Sequence, residues 1–130
     1  MKIRSDFVTN SSSSGFVIIS LTLQNGESVS INREYDAGYG GYFLGTTSDQ
    51  QKMKAEMRTL QNGDDLMLLL KSYIRDFDDF ILFPDDEGIA FMTEMYSILD
   101  FSDVYSVSIS EETLFESGEK NKTSFKYVNK

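Results

Sequence analysis

The strongest constraint on the fold is an alternating stretch near the N-terminus, GFVIISLTLQNGESVSIN over residues 15–32. Its first half is rich in β-branched residues, and apolar side chains such as Ile19 and Leu21 recur at alternate positions. This period of two is typical of a strand with one buried face. Asn25-Gly26 is the dipeptide preferred in two-residue type I′ turns. The stretch therefore predicts a β-hairpin over 15–32, so the fold must contain a sheet.

A second alternating stretch lies towards the C-terminal end of the sequence. Tyr105, Val107 and Ile109 alternate with serines, which again indicates a strand with one exposed face. A polar segment separates it from a second short apolar run at 124–128. The pattern predicts a second hairpin over 103–128.

The segment between the two hairpins carries helical patterns. Met53, Met57 and Leu60 lie on one helical face, and similar spacing continues, so helices are predicted over 47–77. The apolar run at 80–83 is flanked by Asp and Pro and predicts a short buried strand. Proline and acidic residues then favour a helix start, and a well-buried helix is predicted over 85–99.

The order of these elements predicts the fold class. The 130 residues are expected to form one α+β domain, 1–130. We expect a mixed or antiparallel sheet of four to five strands, built from the N-terminal and C-terminal hairpins. Two to three helices would pack on one face of this sheet.

The composition excludes several kinds of chemistry. The chain has no histidine and no cysteine, which removes Ser-His and Cys-His nucleophile pairs and cysteine-based zinc sites. We therefore assign no catalytic residue, metal site or cofactor. No apolar stretch is long enough to span a bilayer, and a cytoplasmic location is expected.

Charge is distributed unevenly along the chain. The net charge is −9, and residues 76–119 contain thirteen acidic residues without one lysine or arginine. Such a segment is a poor ligand for DNA or anionic membranes, because phosphate contacts need basic side chains. We expect a protein partner with a basic surface, and neither direct nucleic-acid binding nor membrane binding.

The candidate contact residues fall into two groups. An acidic group would remain largely without basic neighbours and offer a surface to the partner; it comprises Asp78, Asp79, Asp85, Asp86 and Glu87. An aromatic group lies in the glycine-rich segment 36–45 and could form a contact loop; it comprises Tyr39, Tyr42 and Phe43. The alternatives are that the acids cap helices and solvate a surface, and that the aromatics pack on the domain's own core.

The first residues, MKIRSDFVTNSSSSGF, place a serine run between two aromatic-containing stretches. This string resembles the N-terminal signature of a set of small bacterial proteins, mostly from Firmicutes. These open with Met-Lys-Ile-Arg-x-Asp-Phe-Val-Thr-Asn, a serine run and then Phe; Gly15 stands where that pattern usually has a further serine. The signature segment occupies 1–14, and the resemblance implies a bacterial or phage origin. No histidine or suitably spaced lysine accompanies the serines, so they are predicted to be non-catalytic.

These observations favour a non-enzymatic protein-interaction module of bacterial or phage origin that binds a basic partner through an acidic surface. In its narrowest form it would be an anti-CRISPR-like inhibitor that mimics nucleic-acid charge. The alternatives are a small carboxylate-dependent metal-binding enzyme and a structural homo-oligomer, and a homodimer is compatible with the sequence.

Overall fold

The computed structural model describes residues 14–36, 41–82 and 86–129. Four strands form one antiparallel sheet in the order β2-β1-β3-β4. The strands are β1 (Ser14–Leu23), β2 (Ser28–Asp36), β3 (Val104–Leu114) and β4 (Lys120–Val128). The predicted α+β class is confirmed, with the N-terminal and C-terminal hairpins joined through β1 and β3.

The period-two pattern of the sequence sets which side chains face the helices. Ile31, Ile19, Ile109 and Phe125 lie opposite one another across all four strands, and each is at least 98% buried. The next positions along the strands point to the other face, where serines predominate. A one-residue slip between strands would move this apolar row to the serine-rich face, so burial fixes the register.

Within 41–82 and 86–103, the structure describes four helices between β2 and β3. They are α1 (Thr47–Met57), α2 (Gly63–Tyr73), α3 (Phe77–Leu82) and α4 (Asp86–Tyr96), followed by a short 3₁₀ turn at Phe101–Asp103. A capping box opens α1, since Thr46 and Asp49 satisfy each other's free backbone N–H groups. Asn62 caps α2 by accepting from the backbone N–H of Asp65 at 3.0 Å.

The helices bury their apolar side chains against the inner face of the sheet. The helix residues that are fully buried include Met53, Met57, Leu66, Leu70, Phe91 and Met95. These join the inward-facing residues of β1, β2, β3 and β4 in one continuous core. Among the described residues, the buried polar side chains are Ser106, Glu111 and Thr113, all on β3.

The predicted strand over 80–83 is wrong where the structure describes it, because residues 80–82 belong to α3. Phe77 and Ile81, four positions apart, are both buried, which is the spacing of a helix face. Asp76 adopts a left-handed backbone conformation with φ of 53° and separates α3 from the segment that follows α2. The four-residue apolar run was too short to distinguish a strand from the end of a helix.

The other predicted boundaries need smaller corrections. The helices predicted over 47–77, with a break near Asn62-Gly63, are α1 and α2, but α2 ends at Tyr73 and Phe77 opens α3 instead. The helix predicted over 85–99 ends at Tyr96. The hairpin predicted over 15–32 extends to Asp36. Residues 1–13 of the N-terminal signature segment lie outside the described ranges.

Both hairpins close through the same three-residue loop. Leu23 and Glu27 flank one loop, in which the N–H of Gly26 donates to the carbonyl of Leu23 at 3.0 Å. Phe115 and Glu119 flank the other, in which the N–H of Gly118 donates to the carbonyl of Phe115 at 2.9 Å. The two glycines have φ of 93° and 90°.

The predicted type I′ turn is therefore wrong, although the hairpin is present. A type I′ turn requires positive φ at both central residues, and Asn25 is not among the described non-glycine residues with positive φ. The geometry is a turn followed by a left-handed glycine, the usual three-residue hairpin. Asn25 instead accepts from the backbone N–H of Glu27 at 2.9 Å, which fixes the turn from its side chain.

We expect Gly26→Val or Gly118→Val to lower the free energy of unfolding by about 1–2 kcal/mol, since a β-branched residue is strained at positive φ. Chemical denaturation measures the loss. Gly26→Asn and Gly118→Asn are the matched controls, because asparagine tolerates this conformation, and they should lose much less. Equal losses for valine and asparagine would contradict the backbone explanation.

Across 14–36, 41–82 and 86–129, no helix has the length and apolar character needed to cross a bilayer.

Candidate partner-binding surface

Helices α3 and α4 carry the acidic residues that the sequence singled out. Asp78 and Asp79 lie in the first turn of α3, while Asp86 and Glu87 lie in the first turn of α4. All four side chains are exposed. Acids are favoured there because the helix dipole places partial positive charge at the N-terminus. Asp85 lies outside the described residues.

One of these acids is compensated, contrary to expectation. The Nζ atom of Lys71, in the last turn of α2, lies 3.1 Å from Oδ2 of Asp78. Lys71 precedes the acidic segment 76–119 in the sequence. The turn between α2 and α3 brings it next to Asp78. The two side chains are 56% and 68% exposed, so the pair contributes at most about 1 kcal/mol.

Glu87 has a structural contact as well. Its carboxylate accepts a hydrogen bond from the backbone N–H of Asn32 in β2. Strand β2 is an edge strand, and its outward N–H groups would otherwise be free to pair with another chain. Glu87 therefore attaches the start of α4 to the sheet edge, which makes it a poor choice for a mutation that tests binding alone.

The helix predicted over 85–99 was expected to be well buried, but the structure leaves one of its sides exposed. Phe91, Met95 and Ile98 face the core. Ile89, Tyr96 and Leu99, in contrast, are 60%, 50% and 86% exposed. The reason is that α4 packs against α2, α3 and the edge of β2 on one side only. In the sequence, Phe91, Met95 and Ile98 are four and three positions apart, which already indicates a single buried helix face.

The exposed side chains form what we call the α3–α4 surface, defined by Asp79, Asp86, Ile89, Tyr96 and Leu99. Asp86, Ile89, Thr93 and Tyr96 recur at helical spacing, so they follow one exposed stripe of α4. Asp86 at the start of α4 and the apolar side chains of Ile89 and Tyr96 thus share one exposed side of this helix. Such a surface complements a segment that presents basic and apolar side chains together.

The aromatic candidates lie elsewhere, beside a buried acid that the sequence did not single out. Phe43 is 92% buried and Tyr42 is half-buried. Their backbone pairs with the segment after α2: the N–H of Arg75 donates to the carbonyl of Tyr42 at 2.7 Å, and Phe43 forms an isolated β-bridge with Ile74. For Phe43, the structure thus matches the alternative of packing on the domain's own core. Tyr39 lies outside the described residues.

Glu111 organises this aromatic cluster from the inner face of β3. Its carboxylate accepts from the backbone N–H groups of Tyr42 at 2.6 Å and Phe43 at 3.2 Å. It also accepts from the hydroxyl of Tyr35. Glu111 is 94% buried, so these three donors satisfy a side chain that would be costly to bury alone.

The ring of Tyr42 is held from two sides. It contacts Tyr35 edge-on, with 4.6 Å between the two ring centroids. The guanidinium carbon of Arg75 lies 5.0 Å from the centroid of the Tyr42 ring. Burial and the hydrogen bond to Glu111 raise the pKa of Tyr35 above its ordinary value of 10.0. The cluster therefore holds Tyr42 and Phe43 in place, because the Glu111 carboxylate bonds their backbone N–H groups and the hydroxyl of Tyr35.

Within the described ranges, no three acidic side chains come together in a way that could hold a metal ion. Comparisons with protein-family models, curated proteins and solved structures find no match to this chain.

Proposed function

We propose that this protein is a non-enzymatic bacterial or phage interaction module that works in the cytoplasm and binds a basic, amphipathic protein segment through the α3–α4 surface. The carrying observation is the exposure of Ile89, Tyr96 and Leu99 in a segment whose charged side chains are all acidic. A single exposed apolar residue is ordinary, but a group of them is a common mark of an interface.

The two kinds of side chain would contribute differently to binding. Burying an exposed Leu or Tyr supplies most of the affinity, as at other interface anchors. The acids Asp79 and Asp86 attract the basic partner from a distance and reject acidic competitors. Residues 76–119 contain no lysine or arginine, so no base in this segment repels the basic partner or attracts an acidic competitor.

The test uses a fluorescent amphipathic peptide of lysine and leucine as the probe partner, with binding followed by anisotropy at low and high salt. We expect salt-sensitive binding to the native protein. Leu99→Ser should weaken it about tenfold, the equivalent of losing one well-buried side chain. Asp79→Asn combined with Asp86→Asn should weaken binding at low salt and have less effect at high salt.

The matched control is Glu116→Gln combined with Glu119→Gln, which removes the same charge from the β3–β4 hairpin. It should leave binding close to native. Equal weakening by this control would mean that the peptide senses only the net charge, and the proposed surface would be wrong. A partner that normally binds nucleic acid should in addition release it on binding this protein, which tests the narrower proposal of charge mimicry.

A further inference from the structure

A cleft of about 540 Å³ lies between the C-terminal end of α1 and the edge strand β4. Its lining comprises Lys54, Arg58, Lys126, Tyr127, Val128 and Asn129. The volume falls within the roughly 300–1,000 Å³ of sites that hold small molecules. Three of the six lining residues are basic, in a protein whose net charge is −9.

The three cations reach the cleft from two elements. Lys54 and Arg58 are four positions apart at the end of α1, so they share one side of that helix. Lys126 comes from β4. Within 14–36, 41–82 and 86–129, none of the three forms an ion pair with an acidic side chain, whereas Lys71 does so with Asp78. An anion in the cleft would therefore meet positive charge that no acidic side chain of the described residues pairs with.

One wall of the cleft, at Asn129, is held in place by hydrogen bonds. The side-chain amide of Asn129 donates to the carbonyl groups of Phe101 at 3.0 Å and Val104 at 3.1 Å. Its backbone N–H donates to the carbonyl of Tyr105 at 2.7 Å. Tyr127 packs beside Phe101, with 6.4 Å between ring centroids. A ligand would therefore meet a preformed wall, and its binding would not have to order this part of the chain.

We infer that this cleft binds a small organic phosphate. The planar guanidinium of Arg58 can donate two parallel hydrogen bonds to phosphate oxygens, while two lysines supply further positive charge. The volume leaves room for an organic body beside the phosphates. The site lies at the β4 edge of the sheet and the α3–α4 surface at the β2 edge, so this inference is independent of the proposed function.

Calorimetric titration of the full chain tests the site with three probes: adenosine diphosphate, inorganic pyrophosphate and adenosine. We expect the first two to bind and adenosine, which has no phosphate, to give no detectable binding. Arg58→Gln should weaken binding of adenosine diphosphate about tenfold, as expected for loss of a charged hydrogen-bond donor. Lys54→Gln and Lys126→Gln should each weaken it several-fold.

Lys52→Gln and Lys122→Gln are the matched controls, since these exposed lysines lie on the same helix and strand but outside the cleft. Both should bind adenosine diphosphate as the native protein does. Three results would each overturn the inference: no binding of the native protein at millimolar adenosine diphosphate, equally tight binding of adenosine, or equal weakening by the two controls.

Discussion

Replacing Glu111 with alanine is expected to lower the free energy of unfolding by roughly 3–5 kcal/mol, the largest effect of any single change that we predict. The substitution leaves two backbone N–H groups and the Tyr35 hydroxyl without their acceptor in a buried region. Each unsatisfied buried donor costs about 1–3 kcal/mol, and water molecules that enter the vacated space recover part of that cost. Denaturant unfolding measures the total.

Two variants make the test specific. Glu111→Gln keeps one acceptor oxygen but turns an amide N–H₂ towards a donor, so it should lie between the native protein and the alanine variant. Glu112→Ala removes the neighbouring acid, which lies on the opposite face of β3, and should change stability little. A loss for Glu112→Ala as large as that for Glu111→Ala would show that the hydrogen bonds to Glu111 do not cause the effect.

Glu111→Ala should also change the titration of Tyr35 at high pH. The pKa of Tyr35 is raised in the folded protein, so above pH 10.0 the unfolded chain releases a proton that the folded chain still holds. Stability from this source is complete below that pH and is lost as the pH rises through the folded pKa. In Glu111→Ala the pKa of Tyr35 should fall, since the hydrogen bond and the nearby charge are removed. Titration of tyrosinate absorbance, with Tyr35→Phe for assignment, measures the change.

Replacing Gly63 with alanine should cost about 2–3 kcal/mol of stability, even though alanine is the better helix former by about 1 kcal/mol. A Cβ atom at this position would overlap the carbonyl oxygen of Met95 in α4. The N–H of Gly63 also donates to the carbonyl of Ile98 at 2.9 Å. Alanine would force α2 and α4 apart and lengthen this hydrogen bond.

Asp64→Ala is the matched control, because it introduces the same side chain at the next, exposed position of α2. Its effect on denaturant unfolding should be small. Native-like stability of Gly63→Ala would mean that the contact between α2 and α4 adjusts without cost, and the close approach would then have no role in the fold.

The sheet was predictable because its signal is local. Ile19 and Ile109 each sit in an alternating run, and alternation alone specifies both the strand and its buried face. The strand predicted over 80–83 was wrong for the opposite reason. Only Phe77, three residues before the run, reveals the helical spacing with Ile81, and the run by itself carried too few positions to show a period.

The candidate site was less accessible to sequence reasoning. Exposure of Leu99 depends on which neighbours α4 and the segment after it acquire, and a pattern along one chain does not contain that information. Glu111 did carry a signal: it continues the inward phase of Val107 and Ile109, so the alternation predicts a buried acid. The cleft beside β4 joins Arg58 and Lys126, residues far apart in the sequence that only the folded chain brings together.

The pairing of β1 with β3 has a consequence for how the chain folds. Ser14 pairs with Leu114, so the two central strands come from opposite ends of the described chain. Each hairpin can form early through its own short loop, but the seam between them must wait for a long loop to close. On the ribosome, the inner edge of β1 stays unpaired until β3 has been synthesised. During that interval this unpaired edge can mispair with another chain and aggregate.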